Sequence, residues 1–262
     1  MNENNKKTRG AEDCWFPVFH VPHDGAAFPE ELFRSACVPR EVFAAYHEAM
    51  RDKDAGALIP RSCRTDETVC AFAISRLLCD VERFIGPEET MERYGMGYCY
   101  EKAFDGTVIK RVTEELRKNT RTYYDAHHER VNRLCGRHRR VLLIDLHSYT
   151  GGIVPKDQLR AGQTLPDLCL GVDEQYTPPA LARRALGAFR GIGLTVAVNY
   201  PYSGCYVPET VMRGEAGCEF AGIMLEFRRS AYLDETGGLD GKKTDRIREA
   251  LRRLLLAWGC AF

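Results

Sequence analysis

Two histidines stand where a folded chain could gather reactive groups. His147 lies near the end of Val141-Leu-Leu-Ile-Asp-Leu-His-Ser-Tyr149, where four apolar residues give way to Asp145, His147 and Ser148. A short, nearly continuous apolar run reads as a buried parallel strand, and ligands of open α/β sheets sit just outside the carboxyl ends of such strands. His23 follows a second run of this kind, Phe16-Pro-Val-Phe-His-Val-Pro22, and is itself followed by Asp24-Gly25. Two strand-end imidazoles from distant parts of the chain point to one shared site. Taken singly, each also fits an ordinary hydrogen-bonded histidine, a residue often found at intermediate burial.

A catalytic zinc takes three protein ligands from histidine and carboxylate and leaves one position for water. His23 and His147 supply two nitrogens, and the cluster Met50-Arg-Asp-Lys-Asp54 offers Asp52 or Asp54 as the carboxylate. The same cluster also reads as the solvated end of a helix. Glu226, in Gly222-Ile-Met-Leu-Glu-Phe-Arg-Arg229, falls at the end of an interior strand, where an unpaired carboxylate costs several kcal/mol. It is the candidate general base, taking a proton from water and returning it to a leaving amine. The competing account is an ion pair with Arg228 or Arg229. Arg76 and Arg83 lie beside apolar stretches, an arrangement suited to holding a substrate carboxylate with bidentate guanidinium groups. Local ion pairs of Arg83 with Asp80 or Glu82 explain that placement equally well. Cys205, in Pro201-Tyr-Ser-Gly-Cys205, is a thiol alternative, although nothing near it in sequence would lower its pKa.

These residues need a frame to bring them together. Strands are expected at Phe16–Val21, Thr68–Ala73, Val141–Leu146, Asp167–Val172, Leu194–Asn199 and Ala221–Phe227. Helices are expected between them at Pro39–Met50, Arg111–Arg133, Pro178–Arg190 with Thr177 as N-cap, and Lys243–Trp258. Alternation of this kind implies an α/β fold, a single domain with a mixed or mainly parallel sheet flanked by helices on both faces. The domain is expected to span residues 13–262, after a disordered tail at 1–12. The stretch Asp80–Thr107 mixes aromatics, glycines and arginine without a period; it is either the wall of a pocket or a plain surface excursion.

Composition narrows the function classes. Of the 262 residues, 44% are hydrophobic and 28% charged, which is ordinary for a globular protein with a sizeable core. Lysine plus arginine equals aspartate plus glutamate at 37 each, so no global field draws nucleic acid or an acidic membrane. The local cluster Arg137-His-Arg-Arg140 is more simply a solvated turn. No apolar stretch approaches the ~18 residues of a membrane span. The polar start, Met1-Asn-Glu-Asn-Asn, lacks the apolar core of a secretory signal. The cysteines number eleven, an odd count with no C-x-x-C pair, and read as reduced thiols of a cytoplasmic protein.

Several segments resemble the N-formylglutamate amidohydrolase family: Val21-Pro-His-Asp-Gly25, Met50-Arg-Asp52, Ser75-Arg-Leu-Leu-Cys-Asp-Val-Glu-Arg-Phe84, Gly95-Met-Gly97, Leu143-Ile-Asp-Leu-His-Ser148, Asn199-Tyr-Pro-Tyr-Ser-Gly204 and Met224-Leu-Glu-Phe-Arg-Arg229, then Tyr232-Leu-Asp-Glu235. They occur in the family's order from about residue 15 to 240. The resemblance implies a zinc carboxypeptidase-like fold with one catalytic zinc ion held by His23, Asp52 and His147, and Glu226 as base. It favours Asp52 over Asp54, because Met50 and Leu58 fix the register, and it implies that Arg76, Arg83 and Arg229 bind substrate. The implied reaction is hydrolysis of N-formyl-L-glutamate to formate and L-glutamate, the last step of one route of histidine degradation. The chain departs from the family pattern at Asp24, Gly56 and Arg228. Alternatives are a related N-acyl-amino-acid deacylase, a carboxypeptidase-like hydrolase of another acidic substrate, or a non-catalytic dicarboxylate binder.

Overall fold

The computed structural model describes residues 14–154 and 156–262; the tail expected at 1–12 lies outside them. The strands are β1 (Phe16–Val21), β2 (Val69–Ala71), β3 (Arg140–Tyr149), β4 (Leu168–Gly171), β5 (Val196–Val198) and β6 (Glu219–Arg228). They form one sheet in the order β2-β1-β3-β6-β4-β5, in which every pairing is parallel except β4 with β6. The helices are α1 (Glu30–Phe33), α2 (Arg40–Met50), α3 (Glu114–Gly136), α4 (Pro179–Arg190), α5 (Glu209–Met212) and α6 (Gly241–Trp258). The mixed sheet between helices is the architecture expected.

Side chains of a strand alternate between faces. On one face Leu142, Ile144 and Leu146 of β3 and Ile223, Leu225 and Phe227 of β6 pack against Leu181, Ala185 and Phe189 of α4 and Leu251, Leu254 and Leu255 of α6. On the other, Val18, Val141 and Leu143 meet Val131, Leu134 and Cys135 of α3. Continued along β3, that second face carries Asp145 and His147, and on β6 it carries Glu226, the register partner of His147. One strand face thus passes from apolar to ionisable without a break in pairing.

Differences from expectation lie at element ends. β3 and β6 are longer than predicted, so His147 sits inside its strand rather than beyond it. The N-cap of α4 is Pro178, not Thr177, whose hydroxyl instead donates to the Gly222 carbonyl at 2.6 Å. α3 starts at Glu114 because the Thr113 hydroxyl accepts from the Leu116 N–H. Among the described residues, no helix is long and apolar enough to cross a membrane.

Candidate metal centre and its cavity

His23 lies just past β1 on a loop that runs close to the strand beside it. A Cβ at Gly25 would stand 2.3 Å from the Phe72 carbonyl oxygen, so only glycine permits this approach. The loop is tied to the end of α2 by three bonds. The Asp52 N–H donates to the His23 carbonyl at 2.9 Å, and the Asp24 carboxylate accepts from the N–H groups of Asp54 (2.9 Å) and Gly56 (3.0 Å). Two departures from the family pattern therefore meet: a Cβ on Gly56 would lie 3.2 Å from Asp24 Oδ2. Asp54 has a left-handed φ of 57° and joins the loops through its backbone, whereas Asp52 turns its carboxylate to the histidines.

The expected set converges. His23 Nδ1 and His147 Nδ1 are 3.3 Å apart, and Asp52 Oδ2 is 2.8 Å from His147 Nδ1 and 3.6 Å from His23 Nδ1. All three residues are buried. The opposite ring nitrogens are held by buried carboxylates: His23 Nε2 donates to Asp80 Oδ1 at 2.8 Å and His147 Nε2 to Asp145 Oδ1 at 3.0 Å. With the protons on Nε2, both Nδ1 lone pairs and a carboxylate oxygen face one point. Such an array of acceptors could hold a cation. Carboxylates behind metal-binding imidazoles are the usual outer support of a metal site.

Charge supports the same conclusion. Asp52, Asp80, Glu82 and Asp145 surround the imidazoles, and only Arg76 and Arg83 offset them nearby. The deficit of two charges matches one divalent cation. Burial disfavours a charged ring at His147, yet Glu82 and Asp145 push its pKa well above the usual value, so the cluster draws positive charge. Burial likewise works against an ionised Asp52, but the adjacent His147 and His23 rings hold it below the usual carboxylate range. Two nitrogens and an oxygen suit zinc.

Glu226 is buried, and loss of hydration raises its pKa to about 8 against the opposing pull of His147. It lines the same cavity as His23, Asp52, His147, Arg76 and Arg83. Arg76 donates to Asp80 at 2.9 Å and stands 3.8 Å from Asp52. Arg83 Nε is 3.9 Å from Asp80 and has no hydrogen-bond partner among the described residues. Arg229 is placed differently. Its guanidinium donates to the carbonyls of Glu48, Ala49 and Arg51 at the end of α2, and it is not among the cavity-lining residues. Cys205 lines the cavity, but burial drives its thiol pKa upward, which removes the thiolate a nucleophile needs. The segment 80–107 walls the cavity through Glu82, Phe84, Ile85 and Tyr94, the first of the two expectations for it.

The principal additions to the predicted set are Glu82, which lies 3.1 Å from His147 Nε2 and 3.5 Å from His23 Nδ1, and the supporting aspartates Asp80 and Asp145. Asp145 carried a signal, since a residue two before His147 shares its strand face. Glu82, in a segment without a period, carried none.

Comparison with known proteins supplies the relationship. The profile of the N-formylglutamate amidohydrolase family matches residues 17–233. Among solved structures the chain is similar to an N-formylglutamate amidohydrolase from Ralstonia eutropha JMP134, with a TM-score of 0.71, 23% identity and 94% of each chain covered. A bacteriophage poly-gamma-glutamate hydrolase matches at a TM-score of 0.27 and 13% identity over 47% of this chain and 56% of that one, too remote to bear on the fold. No match was found among curated proteins.

Proposed function

We propose, for a chain that belongs to the N-formylglutamate amidohydrolase family of amide-bond hydrolases, that it is a zinc-dependent enzyme releasing formate and L-glutamate from N-formyl-L-glutamate. The observation that carries this is the convergence of His23 Nδ1, His147 Nδ1 and Asp52 Oδ2, with Glu226 on the adjoining strand. Zinc at those three ligands would lower the pKa of bound water towards ~7 and polarise the scissile carbonyl. Glu226 accepts the proton of the attacking water and delivers it to the leaving amine, a role for which a carboxyl of raised pKa is suited. Arg76 and Arg83 supply positive charge for the developing oxyanion and the substrate carboxylates. Arg229 acts through the backbone, fixing the end of α2 that presents Asp52. The free thiols support a reducing compartment, the cytoplasm.

A second reading draws on the size of the cavity, about 1850 Å³, against the ~300–1,000 Å³ of common small-molecule sites. Phe84, Ile85, Tyr94, Phe104 and Met212 are exposed large apolar residues, and all line it. This favours an acidic amino acid with a larger N-acyl group. Assaying N-formyl-, N-acetyl- and longer N-acyl-glutamates side by side separates the two. Glu226→Gln should keep stoichiometric zinc and lower turnover by at least ~10²-fold; turnover equal to the parent's removes Glu226 from the role of base.

A further inference from the structure

His147 is the near end of a longer buried chain of polar groups. Asp145 Oδ1, which accepts from His147 Nε2 at 3.0 Å, also accepts from His20 Nδ1 at 2.9 Å. His20 Nε2 is in turn 2.9 Å from His127 Nε2 on α3, the helix that covers this face of the sheet. The other Asp145 oxygen accepts from the Tyr206 N–H at 2.9 Å, and the Tyr206 ring stacks on His20 with centroids 4.2 Å apart. His20, His127, Asp145 and His147 are all at most 5% exposed, so water does not rearrange these bonds.

With one proton on each ring, this chain has one arrangement. An ionised carboxylate only accepts, so His20 must present Nδ1–H to Asp145, and His147 must present Nε2–H, which Asp145 shares with Glu82 Oε1 at 3.1 Å. His20 Nε2 is then bare and can only accept, so His127 must present Nε2–H. Burial keeps His127 neutral by holding its pKa well below the usual value, which leaves it a single ring proton to place. Reversing any one tautomer would set two lone pairs against each other at 2.9–3.0 Å. His20, Glu82 and Asp145 also lie close enough together to hold a cation of their own. A second divalent ion would overshoot the charge deficit described above, and His20 and Asp145 already satisfy each other.

Resting on the reading of His23, Asp52 and His147 as a zinc site, we propose that His20 and His127 are positioning residues: through Asp145 they lock His147 in the Nε2–H tautomer and keep its Nδ1 bare for the metal. His127 therefore acts on the centre from a different layer of the fold. The conservative replacement His127→Gln keeps an N–H donor, whereas His127→Leu removes it. Val131→Ala, one turn further along the same buried face of α3, perturbs packing but not the relay.

Zinc affinity, read by chelator competition, and the absorption spectrum of the Co²⁺-substituted protein should separate these variants. His127→Leu should bind zinc about 10-fold more weakly with an altered Co²⁺ spectrum, while His127→Gln and Val131→Ala stay near the parent. Equal affinity in His127→Leu, or equal loss in Val131→Ala, overturns the relay. If His127→Leu does not fold, nitrogen-15 histidine NMR of the zinc-loaded parent decides instead. The expected tautomers are Nε2–H at His147, Nδ1–H at His20 and Nε2–H at His127; Nε2–H at His20 refutes the proposal. A parent chain that binds no zinc refutes the metal site itself, and the relay with it.

Discussion

Asp80 accepts from His23 Nε2 at 2.8 Å, Arg76 Nη2 at 2.9 Å and the Tyr100 hydroxyl at 2.9 Å, and has no solvent exposure. Burial opposes its charge, but His23, Arg83 and Arg76 hold its pKa well below the usual range. One carboxylate thus orients a proposed metal ligand and restrains two proposed substrate-binding arginines. Removing it would leave buried cations unpaired rather than merely losing one ion pair. Asp80→Ala should therefore lower the free energy of unfolding by about 3–5 kcal/mol in chemical denaturation. A loss of only ~1 kcal/mol, the level of an exposed pair, would show that Asp80 is not the hub described.

At the scale of elements, the sequence reveals most where one physical force acts alone. The apolar runs announce β1, β3 and β6, and the leucines of α6 announce its buried stripe. The sequence understates β3 because Asp145 and His147 look like an ending, whereas the ladder depends on backbone groups and continues to Tyr149 beside Arg228. It overstates the edge strands for the opposite reason. β2 and β5 pair on one side only, so Thr68 and Leu194, apt strand residues by type, fall outside Val69–Ala71 and Val196–Val198. His23, Asp52 and His147 were legible as ligand types at plausible ends. Arg229 was not legible as a brace for α2, since its partners are carbonyls 178–181 positions away in sequence. Glu82 was hidden because its position depends on a loop, and loops have no period to read.

For the whole molecule, layering creates both the centre and a vulnerability to acid. His47 is buried between α2 and the loop bearing Ser75, whose Oγ is 2.9 Å from its Nδ1; burial, helped by Arg51, lowers its pKa from 6.5 to about 4. His128 of α3 is lowered to about 4 as well, chiefly by burial and then by His20. In the unfolded chain these rings take up protons near pH 6.5, while the folded chain resists until about pH 4. Their contribution to stability is therefore complete above pH 6.5 and is lost as the pH falls towards 4. His47 alone should account for about 3 kcal/mol of that loss. Urea melts at pH 7.5 and about pH 4.5 read this directly, and His47→Gln should flatten the slope; a slope unchanged in that variant would contradict the assignment.

The proposed centre depends on one cation joining the ends of β1 and α2 to β3. Diffraction from crystals grown with zinc, recorded on both sides of the zinc absorption edge, tests it most directly. A single anomalous peak bonded to His23 Nδ1, His147 Nδ1 and the Asp52 carboxylate, with Glu226 facing its open side, is the predicted result. A peak elsewhere, or none between two imidazoles that remain hydrogen-bonded to each other, would contradict it.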